Sequence, residues 1–422
     1  MSDVTLSVKF GFLGLGMGGC SIANECARIQ TGIVNNKNPY TALLINTNEV
    51  DLKKIKEAPT AVKYQLKGYE KGAGRNIEIG EKAFFEHKDK ITEKVVSYFN
   101  DREFIWVVTG LGGGTGTGSV IEAVRVLHNN GFKGKFGLIL TLPRDKEGLT
   151  VIENALERLQ IIAKAMRGLG SIILVDNQKL YRDFVENKPD SNITEYLDYS
   201  NKFIARTLHE INVVTSSYDP VGAYHFDGSE FLNAIKTPGI LSFGKLSIKE
   251  NTFDVENQST YLPEFKSSIN NGILSDGYNF KTATRAAVSM IASNQTANRA
   301  FTISFINKIE EMIDEMSPNA GEKSIATYAD SDRRVIDIYS IFAGLSLPSR
   351  ISQLVEVADE LKNSKEQDDI EDDALSALGA FSRQKQADEE FELDDLLSGK
   401  NEVASALDEQ GKKEKSDDPF DF

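Results

Sequence analysis

Short unbroken apolar runs alternate along this chain with longer stretches in which apolar residues recur every three or four positions. Lys9–Leu13, Ala42–Ile45, Phe104–Thr109, Phe136–Leu142 and Ile172–Val175 are runs of the first kind, and helix-like segments follow most of them. A strand that is apolar at every position has both faces covered, so the alternation predicts an α/β fold in which a parallel sheet carries helices on both sides. Ligands on such sheets bind outside the carboxyl ends of the strands, which directs attention to the residues just after each run.

Between Ser191 and Ser217 the residues Ile193, Tyr196, Leu197, Phe203, Ile204, Leu208 and Ile211 recur at helical spacing and predict a long central helix. Past Thr237-Pro238-Gly239 the texture changes. Strands are expected at Ile240–Ile248 and Phe301–Phe305, and helices at Thr282–Ile291 and Ile306–Met316, together a second, smaller α/β domain. A last amphipathic helix is expected near Arg350–Leu361. The predicted organisation is a ligand-binding domain over 1–190, the central helix and its following loop over 191–234, the second domain over 235–362 and a tail over 363–422, with no internal repeat.

Charge sets the tail apart. Residues 363–422 hold 7 Lys and Arg against 19 Asp and Glu, which is −12 of the net −15. Acidic runs such as DDIEDD and ADEEFELDD repel one another and offer little core, so disorder is expected there. Apolar islands at Ala374 to Phe381, at Phe391 to Leu397 and at Phe420 and Phe422 would let the tail fold onto a partner; an idle solvating tail is the alternative. The overall charge argues against direct binding of nucleic acid. The only cysteines, Cys20 and Cys26, lie six residues apart on a predicted helix and point about 120° from each other, which excludes a disulfide framework. MSDVTLSVKF has no basic segment followed by an apolar one, and no apolar run nears the roughly 18 residues of a membrane span, so a cytoplasmic chain without a membrane partner is expected.

Glycine-rich loops carry the chemistry. Gly14-Leu15-Gly16-Met17-Gly18-Gly19 precedes the helical segment Cys20–Arg28, where amide hydrogens can converge on a phosphate at the positive end of the helix. Gly14, Gly16 and Gly19 also fit the dinucleotide fingerprint G-x-G-x-x-G, and a tightly packed turn would look the same. The second loop, Gly110 to Gly118, follows the run Phe104–Thr109 and precedes a helix over Ser119–Leu127. Five of its last seven residues are glycine and the others are Thr115 and Thr117. Packing alone does not explain so many missing side chains, whereas a backbone nest around a di- or triphosphate does, with the two hydroxyls as added donors. No G-x-x-x-x-G-K-[ST] occurs, so phosphate charge falls to backbone amides, a bound Mg²⁺ and Arg75, within Gly72-Ala73-Gly74-Arg75-Asn76. A solvated surface arginine is the alternative for Arg75.

These loops resemble those of the tubulin/FtsZ superfamily. Gly112, Gly113, Gly114, Thr115, Gly116, Thr117 and Gly118 spell its signature, GGGTGTG, and order and spacing agree along most of Lys9–Ile235. Gly16, Met17, Gly18, Gly19 and Cys20 look like its first phosphate loop, Asn46-Thr47-Asn48 its second, Gly72, Gly74 and Arg75 part of its third, and Pro143–Gly148 its ribose-side loop. KFGFLGLGMGGC, FIWVVTGLGGGTGTG and LTLPRD are more similar to the plasmid-encoded TubZ branch than to division FtsZ or eukaryotic tubulin. The resemblance implies a GTPase that polymerises head to tail, uses GTP/GDP and Mg²⁺, and segregates plasmids through a DNA-bound adaptor, here expected on the acidic tail. It puts Glu147 on the ribose and Asn177 and Asn201 on guanine, where an amide offers both donor and acceptor. Val151 stands where the resemblance calls for a basic residue on the ribose side, a departure from the family's pattern.

The resemblance also implies that an acidic loop from the next subunit handles the attacking water. The matching segment is His225–Phe231, with Asp227 and Glu230 three residues apart as the catalytic acids; acids that merely favour a helix dipole are the alternative. His225 and Trp106 read as packing residues, and the scattered His87, His128 and His209 predict no protein-ligated metal. Three competing functions stand beside this one. A division or phage tubulin would move other cargo. An NAD-dependent oxidoreductase would need an acid ending the second strand, where Asn46-Thr47-Asn48 stands. A non-catalytic scaffold polymer would tolerate loss of Asp227 and Glu230.

Overall fold

The computed structural model describes residues 5–31, 37–222 and 226–364. The expectations for His225 and for the acidic tail from residue 365 onward lie outside the described residues. Met1–Ala358 cluster as one compact unit and Asp359–Phe422 as a second, of which only residues 359–364 are described.

Among the described residues eleven strands build the sheet: β1 (Phe10–Leu15), β2 (Thr41–Asn46), β3 (Ala61–Gln65), β4 (Phe104–Gly110), β5 (Phe136–Leu142), β6 (Ser171–Asp176), β7 (Asp219–Pro220), β8 (Gly239–Lys249), β9 (Arg285–Ala292), β10 (Glu322–Ala329) and β11 (Val335–Leu345). Their order is β3-β2-β1-β4-β5-β6-β8-β11-β9-β10-β7. The first six are all parallel, and β1, β5 and β6 are buried at every position, the burial their unbroken apolar sequences predict. β6 meets β8 through only two residue pairs, Ser171 with Gly239 and Ile172 with Ile240. Beyond that seam β11 runs antiparallel to both β8 and β9, and β10 parallel to β9.

The long helix spans Ile193–Val214, opened by the Asn192 side chain, which accepts the Glu195 N–H. Tyr196, Ile204, Leu208 and Ile211 are buried as their spacing predicts, whereas Ile193 and Leu197 remain exposed. Two predictions in the second half fail. Arg285–Ala292 is a strand, although Thr282–Ile291 reads as a helix. Its alanine-rich sequence, RAAVSMIA, is enclosed between β10 and β11, and burial on both faces erases the alternation that marks a strand. The predicted strand Phe301–Phe305 instead begins the helix Ile303–Met316, because Thr302 Oγ1 accepts the Phe305 N–H at 3.2 Å and caps it. The final helix covers residues 350–364 and buries Leu354 and Ala358.

One aromatic cluster fixes where the functional elements sit. Phe10 at the start of β1 packs against Trp106 at 6.0 Å and against Phe231 at 6.4 Å, and Phe104 meets Trp106 edge-on at 4.8 Å. The helix Gly228–Lys236, which carries Phe231, is thereby held beside the amino end of β1. Cys20 and Cys26 are both free and buried, and among the described residues no helix is long and apolar enough to cross a membrane.

Candidate functional site

Loops leaving the carboxyl ends of β1 to β6 meet around a cleft of ≈ 480 Å³. Gly16, Met17 and Gly18 line it from the first loop, Asn46 from the second, and Gly72, Gly74 and Arg75 from the third. Gly112 to Gly116, Glu147 and Asn177 complete the set of predicted residues brought together here. Gly19, Cys20, Thr117, Gly118 and Asn201 are outside the wall.

Two helices start at this cleft, Gly16–Arg28 and Thr115–Leu127. Their first amide N–H groups lack partners within the helix, and both positive dipole ends face one volume, the arrangement that receives an anion. The helices approach so closely that a Cβ on Gly16, whose φ is +68°, would lie 2.9 Å from the Gly116 amide nitrogen. Close packing also accounts for several of these glycines: the tight-turn alternative holds at Gly19, and it extends to the second loop, whose glycines the sequence assigns to a phosphate. A Cβ on Gly19 would lie 2.0 Å from Val108 O, one on Gly118 2.2 Å from Ile77 O, and one on Gly114 2.7 Å from the Ala73 methyl. Gly113 differs, because nothing lies within 4 Å of its absent side chain.

Asn46 is the polar group that points to a ligand. It is 2% exposed; its Oδ1 accepts the Thr47 N–H at 2.9 Å, while its Nδ2 has no partner. A buried donor left unsatisfied is costly unless something in the cleft accepts from it. The Thr47 and Thr115 hydroxyls are bonded to each other at 2.7 Å. Thr117 braces the loop instead: its Oγ1 accepts the Gly112 N–H at 3.0 Å and donates to Gly110 O at 3.3 Å. Cys20 is internal, its thiol donating towards Gly14 O and Ile45 O, and burial pushes that thiol far above its ordinary pKa. Arg75, at φ +66°, is the one non-glycine residue with positive φ among the described residues; its carbonyl accepts from Asn154 Nδ2 at 2.8 Å.

Sequence reasoning missed Lys71, Asp51 and Thr141 in the wall. Lys71 directly precedes Gly72, so a cation beside the third loop was available as a signal. Val151 occupies the position where a basic residue was expected; it is buried, and its Cγ1 lies 2.5 Å from where a Gly112 Cβ would stand. Packing under the glycine loop explains an apolar residue there.

Behind the wall residues Glu147 and Asn177 lies a set of interlocked side chains. The Arg144 backbone N–H and Nε donate to Glu147 Oε1 at 3.1 and 3.4 Å, and its guanidinium lies 4.7 Å from the Tyr181 ring centre. The Tyr196 hydroxyl donates to Asn177 O at 2.9 Å. Asp176 caps the helix Asn177–Asn187 by accepting the Gln178 N–H at 2.9 Å. Asn201 is half-buried on the long helix.

Asp227 and Glu230 form a capping box on the helix Gly228–Lys236. Asp227 Oδ1 accepts the N–H groups of Ser229 and Glu230, each at 2.8 Å, and Glu230 Oε2 accepts the Asp227 N–H at 3.0 Å. A Cβ on Gly228 would lie 3.0 Å from Ser7 O, three residues before β1 begins. The acids therefore stand at the amino end of β1 and the cleft at its carboxyl end, separated by the length of a six-residue strand, roughly 20 Å.

Known proteins resemble this chain in sequence and fold. Residues 9–184 match the family model "Tubulin/FtsZ family, GTPase domain", and residues 224–349 match "Tubulin-like protein TubZ, C-terminal domain". The chain is 44% identical to the tubulin-like protein TubZ of Bacillus cereus, over 98% of this chain and 97% of that one. It is 46% identical to TubZ of Bacillus anthracis over 87% and 86% of the two chains. Among solved structures, a GTPγS-form protofilament of Bacillus thuringiensis serovar israelensis TubZ superposes with a TM-score of 0.73 at 23% identity, covering 87% of this chain and 95% of that chain, a likeness of fold. The continuous run of loops around the cleft, the matches to both halves and the identity over nearly the whole length agree: the chain belongs to the tubulin/FtsZ family of GTPases, in its TubZ branch.

Proposed function

We propose that this chain binds GTP in the cleft, polymerises head to tail, and hydrolyses the nucleotide where one subunit's acids meet the next subunit's cleft. The observation that carries the reading is the separation of Asp227 and Glu230 from the cleft by the length of β1. No side chain can cross that span within one chain, whereas stacking two copies along this axis brings the amino end of one to the carboxyl end of the other. Phosphoryl transfer needs positioned charge and a group that orients or deprotonates water, and the glycine loops supply only the first. In this reading the helix ends at Gly16 and Thr115, Lys71 and Arg75 meet the phosphates, Asn46 Nδ2 donates to a phosphate oxygen, and Glu147 and Asn177 face the nucleoside, with Asn201, outside the wall, reaching it only if its side chain turns towards the cleft on binding. A Mg²⁺ ion carried on the phosphates would neutralise part of their charge. Asp51 and the Thr47 and Thr115 hydroxyls are the hard oxygen donors this chain offers it.

The deciding measurement is GTP turnover per subunit against protein concentration. The reading expects turnover to rise steeply with assembly; a rate that stays constant on dilution far below self-association overturns it.

The relatives' TubZ identity supports plasmid segregation in the cytoplasm as the use of such a filament, with a basic DNA-bound adaptor engaging the acidic residues 363–422. Deleting those residues should abolish co-sedimentation of the adaptor with filaments and leave GTP hydrolysis intact. Adaptor that still co-sediments with truncated filaments refutes the tail as its docking segment.

A further inference from the structure

Arg350 begins the last helix and is only 5% exposed, unusual for an arginine. Its Nη2 donates to Asp145 Oδ1 at 2.6 Å and to Pro143 O at 3.2 Å, and its Nε lies 3.3 Å from Asp176 Oδ1. Those partners belong to different segments. Pro143 and Asp145 follow β5 and lead into Glu147 of the cleft wall; Asp176 ends β6 and immediately precedes Asn177, also of the wall. A further hydrogen bond joins the same two segments, from the Asp145 N–H to Gln178 Oε1 at 3.3 Å. One guanidinium thus spans the roots of the two loops at what the proposed reading makes the nucleoside end of the site, and its hydrogen-bond and ion-pair partners among the described residues all lie there.

Charge explains why an arginine is needed. Asp176 is 4% exposed, and burial raises its carboxyl above the ordinary range, a rise that Arg350 offsets only in part. Without a cation here, the buried Asp176 carboxylate would stand unpaired beside the partly exposed carboxylate of Asp145, and the segments carrying them would lose their shared partner. Arginine suits the position because its planar fork reaches a carboxylate, a carbonyl and a second carboxylate at once, which a lysine point charge cannot.

We propose that Arg350 is a positioning residue for nucleotide selection: it locks the segments carrying Glu147 and Asn177 against the last helix, and so sets affinity for the nucleoside half of the ligand without affecting the phosphate half. This rests on the nucleotide reading of the cleft given above. It predicts that Arg350→Lys and Asp145→Asn weaken binding of a non-hydrolysable GTP analogue about tenfold and narrow the preference for guanine over adenine analogues. Inorganic tripolyphosphate should compete for the cleft of these variants as well as it does for wild type. A merely structural role would lower both affinities together.

Should the variants fail to fold, amide hydrogen exchange on the wild-type chain tests the same point: residues 350–358 should gain protection with the GTP analogue and none with tripolyphosphate. The proposal is overturned if the variants keep the wild-type guanine preference, if both affinities fall equally, or if tripolyphosphate alone protects 350–358. A wild-type chain that binds tripolyphosphate as tightly as the GTP analogue would instead remove the nucleotide reading itself, and this proposal with it.

Discussion

Gly113, in the glycine loop, and Gly118, in the first turn of the helix that follows, are under opposite constraints, and two alanine substitutions separate them. At Gly118 a methyl would sit 2.2 Å from Ile77 O and 2.6 Å from the Glu81 nitrogen, both backbone atoms of or beside the helix Ile77–Glu86, so Gly118→Ala should destabilise the fold by about 2–3 kcal/mol, read as a lowered Tm. At Gly113 a methyl meets nothing and enters the cleft, so Gly113→Ala should leave Tm unchanged while weakening binding of a fluorescent GTP analogue. Asn46→Asp is a third test. It keeps the oxygen that accepts the Thr47 N–H and replaces the orphan donor by an anion, so GTP affinity should fall by about 10–100-fold, measured by the same titration. These cases also mark what the sequence discloses at this scale. GGGTGTG announces a phosphate loop, but glycine carries no label for why its side chain is absent. Ligand approach at Gly113 and helix packing at Gly118 look identical until the neighbours are known.

Asp227 is both a helix cap and an acid, and an element-level comparison divides the two roles. Asp227→Ala removes the oxygen that accepts from Ser229 and Glu230 and should cost about 1 kcal/mol of stability, whereas asparagine caps as well as aspartate. Asp227→Asn should therefore keep the wild-type Tm yet lower GTP turnover by roughly 10²–10⁴ if the carboxylate serves as general base. Wild-type turnover in the asparagine variant would reduce the residue to its capping role. Among the elements, legibility follows burial geometry. β1, β4, β5 and β6 were readable because strands buried on both faces are unbroken apolar runs. β3 was not, since AVKYQ is a half-buried edge strand, and β9 was read as a helix because alanine and methionine favour helices in isolation and only its place between β10 and β11 overrides them.

For the whole molecule, the sequence displays a cleft and a pair of acids but not that they occupy opposite ends, because that follows from β1 running between them and from Phe231 packing under its amino end. In the proposed head-to-tail stacking, opposite ends would make the contact between copies heterologous, so that it would repeat along a line and every junction would join one chain's cleft to another chain's acids. Two inactive variants should then repair each other. Asp227→Asn keeps an intact cleft, Asn46→Asp keeps intact acids, and each alone should hydrolyse little GTP. Mixed in equal amounts, random stacking places an intact cleft against intact acids at about one junction in four, so turnover should recover to roughly a quarter of the wild-type value at the same total concentration. Acids that reached the cleft of their own chain would gain nothing from mixing. A mixture no more active than the sum of its two components would therefore show that hydrolysis does not take place between subunits.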